Sequence, residues 1–188
     1  MKTMKIREMT KQFLLNAYAG ESMAHMRYLI FSEIAEKEGF LNVARLFRGI
    51  AFAEQVHARN HFNNLRDYDA DFNALAGTPA GPGSTSKNLE LAARGEEFEV
   101  EEMYPAYLEV ARFQGEKGAE RSFHFALEAE KIHAKLYREA KEYVDHGKDM
   151  PLQGKVWICP VCGHTYVGDE PPDKCPVCGA DKKMYVGF

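Results

Sequence analysis

Two stretches decide the fold: Glu54-Gln55-Val56-His57 and Glu130-Lys131-Ile132-His133. They carry one Glu-x-x-His pattern, repeated 76 residues apart, and each stands in a run with helical periodicity. Helical residues three apart differ by roughly 60° in azimuth and about one turn in height, so both side chains can face one point. Working outward, the stripe around the first reads Val43, Phe47, Ile50, Glu54, His57, with His61 beyond. The stripe around the second reads Phe123, Ala126, Glu130, His133, Tyr137, Ala140. Each is preceded by a helical run with an acid in its own apolar stripe. One is Leu14, Ala17/Tyr18, Glu21, Ala24, Tyr28, Phe31; the other is Leu89, Ala92, Glu96, Glu99, Met103, Tyr107. Glu21 and Glu96 lie 75 residues apart, so the sequence reads as a duplicated helical hairpin.

The periodicity predicts four helices over 10–38, 41–65, 88–114 and 116–145. Gly39 closes the first, and Gly115 with Gly118 marks a tight connection between the third and fourth. Between them, 66–87 contains Gly77-Thr78-Pro79-Ala80-Gly81-Pro82-Gly83-Ser84, which cannot continue a helix. It is too long for a hairpin turn and fits a crossover. The expected fold is therefore all-α: a ferritin-like four-helix bundle with one long crossover, followed by a small metal-bound β module. The expected division is 1–150 for the bundle and 151–188 for the module.

A glutamate on a helix ordinarily belongs to a solvated face, and Glu36, Glu101, Glu102, Glu109 and Glu142 read that way. Glu21, Glu54, Glu96, Glu99 and Glu130 stand where core residues belong. Unpaired buried charge is very expensive, and no Lys or Arg lies in the same stripes. Cations would resolve the conflict, and Glu, Glu, Glu-x-x-His, Glu-x-x-His on four helices is the pattern of the di-iron carboxylate bundles. Imidazole with carboxylate also suits Mn and Zn, so the ligands alone leave the metal open. Glu99 is a fifth acid, either a spare on the edge or a ligand that exchanges with the oxidation state.

With 188 residues, 45% hydrophobic and 28% charged, the chain is long enough to bury a sizeable core. The formal charge of −4 and scattered Lys and Arg give no footprint for nucleic acid. No run approaches the roughly 18 apolar residues of a membrane span, and the N-terminus lacks a signal-peptide core. A cytoplasmic location is expected. All four cysteines fall near the end, as Cys159-Pro-Val-Cys162 and Cys175-Pro-Val-Cys178, with 12 residues between the pairs. In a reducing compartment that spacing reads as metal ligation before disulfides. So short a tail folds poorly without a staple, which four thiolates on one ion supply. Gly163 and Gly179 permit turns that aim backbone N–H groups at sulfur, and Trp157, Tyr166 and Tyr185 are candidates to cover the site. By spacing alone Zn, as a zinc ribbon, and Fe both remain open.

The segments Gly20-Glu21-Ser22, Glu54-Gln55-Val56-His57, Gly95-Glu96-Glu97-Phe98-Glu99, Glu102-Met103-Tyr104-Pro105 and Glu130-Lys131-Ile132-His133 resemble the rubrerythrin family. So does Val156-Trp157-Ile158-Cys159-Pro160-Val161-Cys162-Gly163 with Cys175-Pro176-Val177-Cys178-Gly179, which is similar to the family's rubredoxin-type tail. The resemblance implies a non-haem di-iron peroxide reductase for oxidative-stress defence, turning hydrogen peroxide to water. Its electrons would come from NAD(P)H through an electron-donor protein, rubredoxin or its reductase, and the chain's own Fe(Cys)4 site. It implies an oxo/carboxylate-bridged pair of Fe ions on Glu21, Glu54, His57, Glu96, Glu99, Glu130 and His133, with His57 and Glu99 exchanging. It implies a third Fe on Cys159, Cys162, Cys175 and Cys178, and hydrogen-bonding roles for Tyr28 and Tyr104. A homodimer or larger homo-oligomer is implied, with one subunit's tail near another's di-iron site. Ser22-Met23-Ala24-His25-Met26-Arg27-Tyr28 departs from the Gln-Ala-Arg-Asn-Arg-Tyr type common in the family, which bears on the pocket's lining. His25, His61 and His124 read as surface groups or groups behind the ligands. The rival readings are a ferroxidase, which gives no reason for a cysteine tail, and a zinc-ribbon interaction protein.

Overall fold

The computed structural model describes residues 6–65, 71–79 and 81–188. The N-terminal residues 1–5, and 66–70 and 80 of the expected crossover, lie outside the described residues. Five α-helical segments build a four-helix bundle: α1 (Glu8–Lys37), α2 (Leu41–Asn63), α3 (Thr85–Phe98), α4 (Tyr104–Gln114) and α5 (Lys117–Asp145). Helices α3 and α4 are one rod joined by a π-helical turn, Glu99–Met103. Gly39 (φ 90°) and Gly115 (φ 74°) turn the chain after α1 and α4. The hairpin α1–α2 packs beside the α3/α4–α5 hairpin, and Arg138 of α5 clamps α3 through Glu90 (2.7 Å) and Glu97 (2.6 Å).

The described part of the crossover runs along α1. Asn16 Oδ1 accepts from the Leu75 N–H at 2.9 Å, and Arg27 donates to Thr78 Oγ1 at 2.9 Å. It ends where Thr85 N–H, opening α3, donates to Glu38 beyond the C-terminus of α1 (2.9 Å). The described part of the connection therefore runs along α1 toward its C-terminal end, as one long crossover must.

The π turn corrects the expected stripe of the third rod. An uninterrupted α-helix would bury Met103 and Tyr107 below Glu96. Instead Tyr104, Leu108 and Ala111 are buried, and Met103 and Tyr107 are half-buried. Eight α-helical steps leave a residue about 80° from its origin, and absorbing one in a wide turn reduces this to about 20°. That phase change brings Tyr104 under Glu96. The other three stripes are buried as read, apart from half-buried Tyr18.

The tail forms a three-stranded antiparallel sheet in the order β2-β1-β3: β1 (Lys155–Ile158), β2 (Thr165–Gly168) and β3 (Val186–Gly187). Trp157 pairs with Tyr166 on one side and Gly187 on the other. The sheet lies against its own chain's bundle. Val156 and Ile158 are fully buried in the core of α1, α2, α3 and α5, and Val156 fits where Gly49 of α2 has no side chain. Asp149 in the linker accepts from the backbone N–H groups of Asn42 (2.7 Å) and Val43 (3.1 Å), capping α2. The resemblance implies a partner's tail beside the di-metal site; within the single chain, the chain's own tail occupies that position.

Candidate metal centres

Among the described residues, two overlapping groups of buried donors form in the middle of the bundle. One is Glu21, Glu54, His57 and Glu130; the other is Glu54, Glu96, Glu130 and His133, with the donor atoms of each within 4.8 Å of one another. Glu54 and Glu130 belong to both, the geometry of carboxylates shared by two cations. His57 Nδ1 lies 2.9 Å from Glu54 Oε2 and 2.8 Å from Glu130 Oε1. His133 Nδ1 lies 2.6 Å from Glu130 Oε2 and 3.3 Å from Glu54 Oε1. Both rings thus turn Nδ1 inward and leave Nε2 toward the tail.

The electrostatics fit a cation pair. Loss of hydration, followed by the neighbouring acids, raises the Glu21 and Glu96 carboxyls well above the usual range. Burial opposes charge on His57 and His133, yet Glu130 and Glu54 prevail and push them up to about 10 and about 9. Burial would raise Glu130, but the two imidazoles hold it below the carboxylate range. Glu21 Oε2 is buried without a hydrogen-bond partner among the described residues, and Glu130 Oε1 and Glu54 Oε1 are buried with only the imidazole nitrogens of His57 and His133 beside them. Carboxylate oxygens left so are expensive unless a cation takes them. The donor set therefore fits two metal ions.

Around the cluster, tyrosines hold the acids. Tyr28 donates to Glu96 Oε1 at 2.5 Å, and Tyr104 donates to Glu21 Oε1. Burial and nearby carboxylates keep both phenols protonated. Glu99 stands outside both donor groups. It lines a surface cavity of about 830 Å³ with Arg27, Glu102 and Tyr107, in the wall made by α1, the α3/α4 rod and the crossover. Its carboxyl is raised by burial and then by Glu130 and Glu54, so it lies within electrostatic reach of the cluster.

The four cysteines converge as the second centre. Their Sγ atoms lie within 4.8 Å of one another, with Cys159–Cys178 at 3.6 Å and Cys162–Cys175 at 3.5 Å. A tetrahedron of sulfur with metal–sulfur bonds of about 2.3 Å has edges of about 3.8 Å. Gly163 (φ 84°) and Gly179 (φ 76°) make the turns, and the N–H groups of His164 and Ala180 point at the sulfurs of Cys162 and Cys178. Trp157, Tyr185 and Phe125 of α5 pack on this cluster; Tyr166 does not, being 40% exposed.

The two centres meet. A Cβ on Gly163, next to Cys162, would lie 2.0 Å from His57 Nε2. His133 Nε2 is 2.7 Å from Thr165 Oγ1. Arg59 and Asn60, just beyond His57, donate to the carbonyls of Pro160 and Val161 (2.9 Å for the latter). Sequence reasoning missed these docking residues, because no periodicity links α2 to a turn about a hundred residues away. It also missed Tyr137, a buried phenol at the cluster whose place in the α5 stripe read as plain core. Of the three histidines read as surface groups or groups behind the ligands, His124 is exposed and His25 binds the Ala51 carbonyl (2.7 Å). His61 is fully buried behind Glu21, and burial followed by His57 pushes it down to about 3.

Fold and sites together define a ferritin-like bundle with a carboxylate–histidine di-metal cluster and an attached four-cysteine module. Residues 12–141 match the rubrerythrin family model and 157–186 the rubredoxin-like domain of rubrerythrin. The chain belongs to the rubrerythrin family. It is 51% identical to Rubrerythrin-2 of Clostridium acetobutylicum over 96% of this chain and 97% of that protein. It superposes on fully reduced nigerythrin with a TM-score of 0.83 at 31% identity, covering 100% of this chain and 89% of the other. The Rhodobacter capsulatus bacterioferritin, at 20% identity and a TM-score of 0.64 over 76% of this chain and 89% of the other, shares the fold.

Proposed function

We propose that the chain is a non-haem di-iron peroxide reductase that turns hydrogen peroxide to water with electrons delivered through its own Fe(Cys)4 site. The observation that carries this reading is the contact between the two centres: the Cys162–Gly163 turn on His57 and Thr165 on His133. A ferroxidase has no use for that contact, and a zinc ribbon that binds other molecules would not bury its strand in the bundle core.

In this reading Glu21, Glu54, His57 and Glu130 would hold one iron, and Glu54, Glu96, Glu130 and His133 would hold the other. Glu99 would be the further donor able to replace His57, and Cys159, Cys162, Cys175 and Cys178 would hold the third iron. The bound iron pair supplies two electrons and the Lewis acidity for cleaving the oxygen–oxygen bond. The chain's residues do the rest. Tyr28 and Tyr104 fix the orientation of Glu96 and Glu21, and Thr165 fixes the His133 ring. The cavity at Glu99 admits a small solute from the face opposite the tail. A cytoplasmic location, an electron-donor protein such as rubredoxin or its reductase, a homodimeric or larger assembly, and a boundary near residue 150 belong to the same proposal.

The test is anaerobic. The iron-loaded protein is fully reduced, one equivalent of hydrogen peroxide or of oxygen is added in parallel, and the visible absorption of the cysteine site is followed. We expect about three Fe per chain and rapid recovery of colour with peroxide, much slower with oxygen. A preference for oxygen, or a colourless cysteine site, overturns the proposal.

A further inference from the structure

A chain of hydrogen bonds leads from the surface to the carboxylate cluster through residues the Glu-x-x-His pattern does not require. Ser122 of α5 stands in the wall of a surface cavity of about 190 Å³, beside Asn60, Asn64 and Arg121. Its hydroxyl is 2.8 Å from His61 Nδ1, and His61 Nε2 is 3.1 Å from the Tyr104 hydroxyl, which donates to Glu21 Oε1. His61 and Tyr104 are fully buried and Ser122 nearly so.

The partners fix the direction of every bond. With Glu21 ionised on a cation, the Tyr104 proton goes to Glu21, so the Tyr104 oxygen accepts from His61, which places the ring proton on Nε2. Nδ1 then accepts from Ser122, and all three donors point inward. A lone structural histidine needs only one satisfied nitrogen; here both ring nitrogens lie in one line between a surface cavity and a ligand carboxylate.

We propose that Ser122, His61 and Tyr104 form a proton path that delivers solvent protons to Glu21. The proposal rests on the peroxide reductase reading, in which each hydrogen peroxide takes two electrons and two protons to give two waters. In one transfer, Ser122 takes a proton from water in the cavity and passes its own to His61 Nδ1. The Nε2 proton moves to Tyr104, and the Tyr104 proton moves to Glu21. One proton enters, one arrives and no charge stays on the path; His61 is left protonated on Nδ1, so its ring proton must return to Nε2 before the path carries a second. Ser122 and His61 act through Tyr104 and are positioning residues, not catalytic ones.

Two measurements test the path. In the zinc-loaded, diamagnetic full chain, nitrogen NMR should find the His61 ring neutral with its proton on Nε2. Ser122→Ala should then shift the Nδ1 resonance and leave Nε2 protonated. A ring protonated at Nδ1 would break the line at Tyr104 and overturn the path. In anaerobic stopped-flow of the reduced iron protein with peroxide, Ser122→Ala and His61→Phe should slow reoxidation at least tenfold at unchanged iron content. Their solvent deuterium isotope effect should rise, and Ser122→Thr, which keeps the hydroxyl, should restore the rate. A Ser122→Ala protein with wild-type rate and isotope effect means that protons enter elsewhere, as by the cavity at Glu99. Equal slowing in Ser122→Ala and Ser122→Thr means a packing role; either result overturns the path alone. Wild-type protein that peroxide does not reoxidise removes the functional reading, and the path with it.

Discussion

At the scale of single residues, the joint between the two centres depends on one missing side chain. Gly163 sits at φ 84° with its Cα against His57 Nε2. Substitution by alanine costs about 1–2 kcal/mol from the left-handed backbone alone, before the contact with the ring is counted. The collision is with the imidazole itself, so relief comes by lifting the turn off α2. Gly163→Ala should keep iron in both centres, because no ligand changes. It should slow colour recovery of the cysteine site after peroxide at least tenfold. An unchanged rate would show that electrons do not cross at this turn. The buried acids of the cluster were legible in the sequence because each interrupts an apolar stripe on its own helix. Gly163 was legible only as a turn former, since its neighbour across the joint lies on another element.

At the scale of elements, α2 carries the heaviest duty and has no N-cap of its own, Phe40 making no side-chain bond there. Asp149 performs the capping from the linker, so the start of α2 and the approach to the tail are fastened together. Asp149→Ala should cost about 1–2 kcal/mol, typical of losing a cap. In a chain of this size that is a fall in Tm of about 2–4 °C per kcal/mol, readable by calorimetry on the loaded protein. A Tm within 1 °C of wild type, by rough estimate, would place the capping elsewhere. The π turn belongs to this scale too. A stripe read at about 100° per residue runs straight through Glu99–Met103, and nothing in Glu-Val-Glu-Glu-Met announces a wide turn. Its consequence is chemical, since it sets Tyr104 on Glu21 and leaves Glu99 in the cavity wall.

For the whole molecule, the cluster is served from two sides: the crossover face opens a cavity at Glu99, and the tail closes over His57 and His133. The buried charge also couples metal binding to pH. In the folded chain without metal, His57 and His133 keep their protons up to about 10 and about 9, against an ordinary 6.5. Their contribution to stability is complete below about pH 6.5 and drains away as pH climbs through 9 and 10. A metal must displace those protons, so the sign is opposite for loading: affinity should strengthen as pH rises from 6 to 9. Chelator competition across that range, with calorimetry in buffers of different ionisation enthalpy, should register proton release at pH 7. Affinity independent of pH would mean that both imidazoles are already neutral.

The sequence by itself determined the four-helix bundle, the buried acids and histidines at its centre other than Glu99, the two CxxC pairs and the need for a long connection. All of these are periodicities or short spacings along the chain, set by the local geometry of a helix or a turn. The tertiary structure decided what depends on residues far apart in the chain. It set the π-shifted register of Tyr104, the line from Ser122 through His61 to Glu21, and the seating of the cysteine turn on His57. Those contacts join positions 43 to 106 residues apart, from His61–Tyr104 to His57–Gly163. Close packing selects such partners by shape and by the need to satisfy each buried polar atom, and no local pattern encodes that choice.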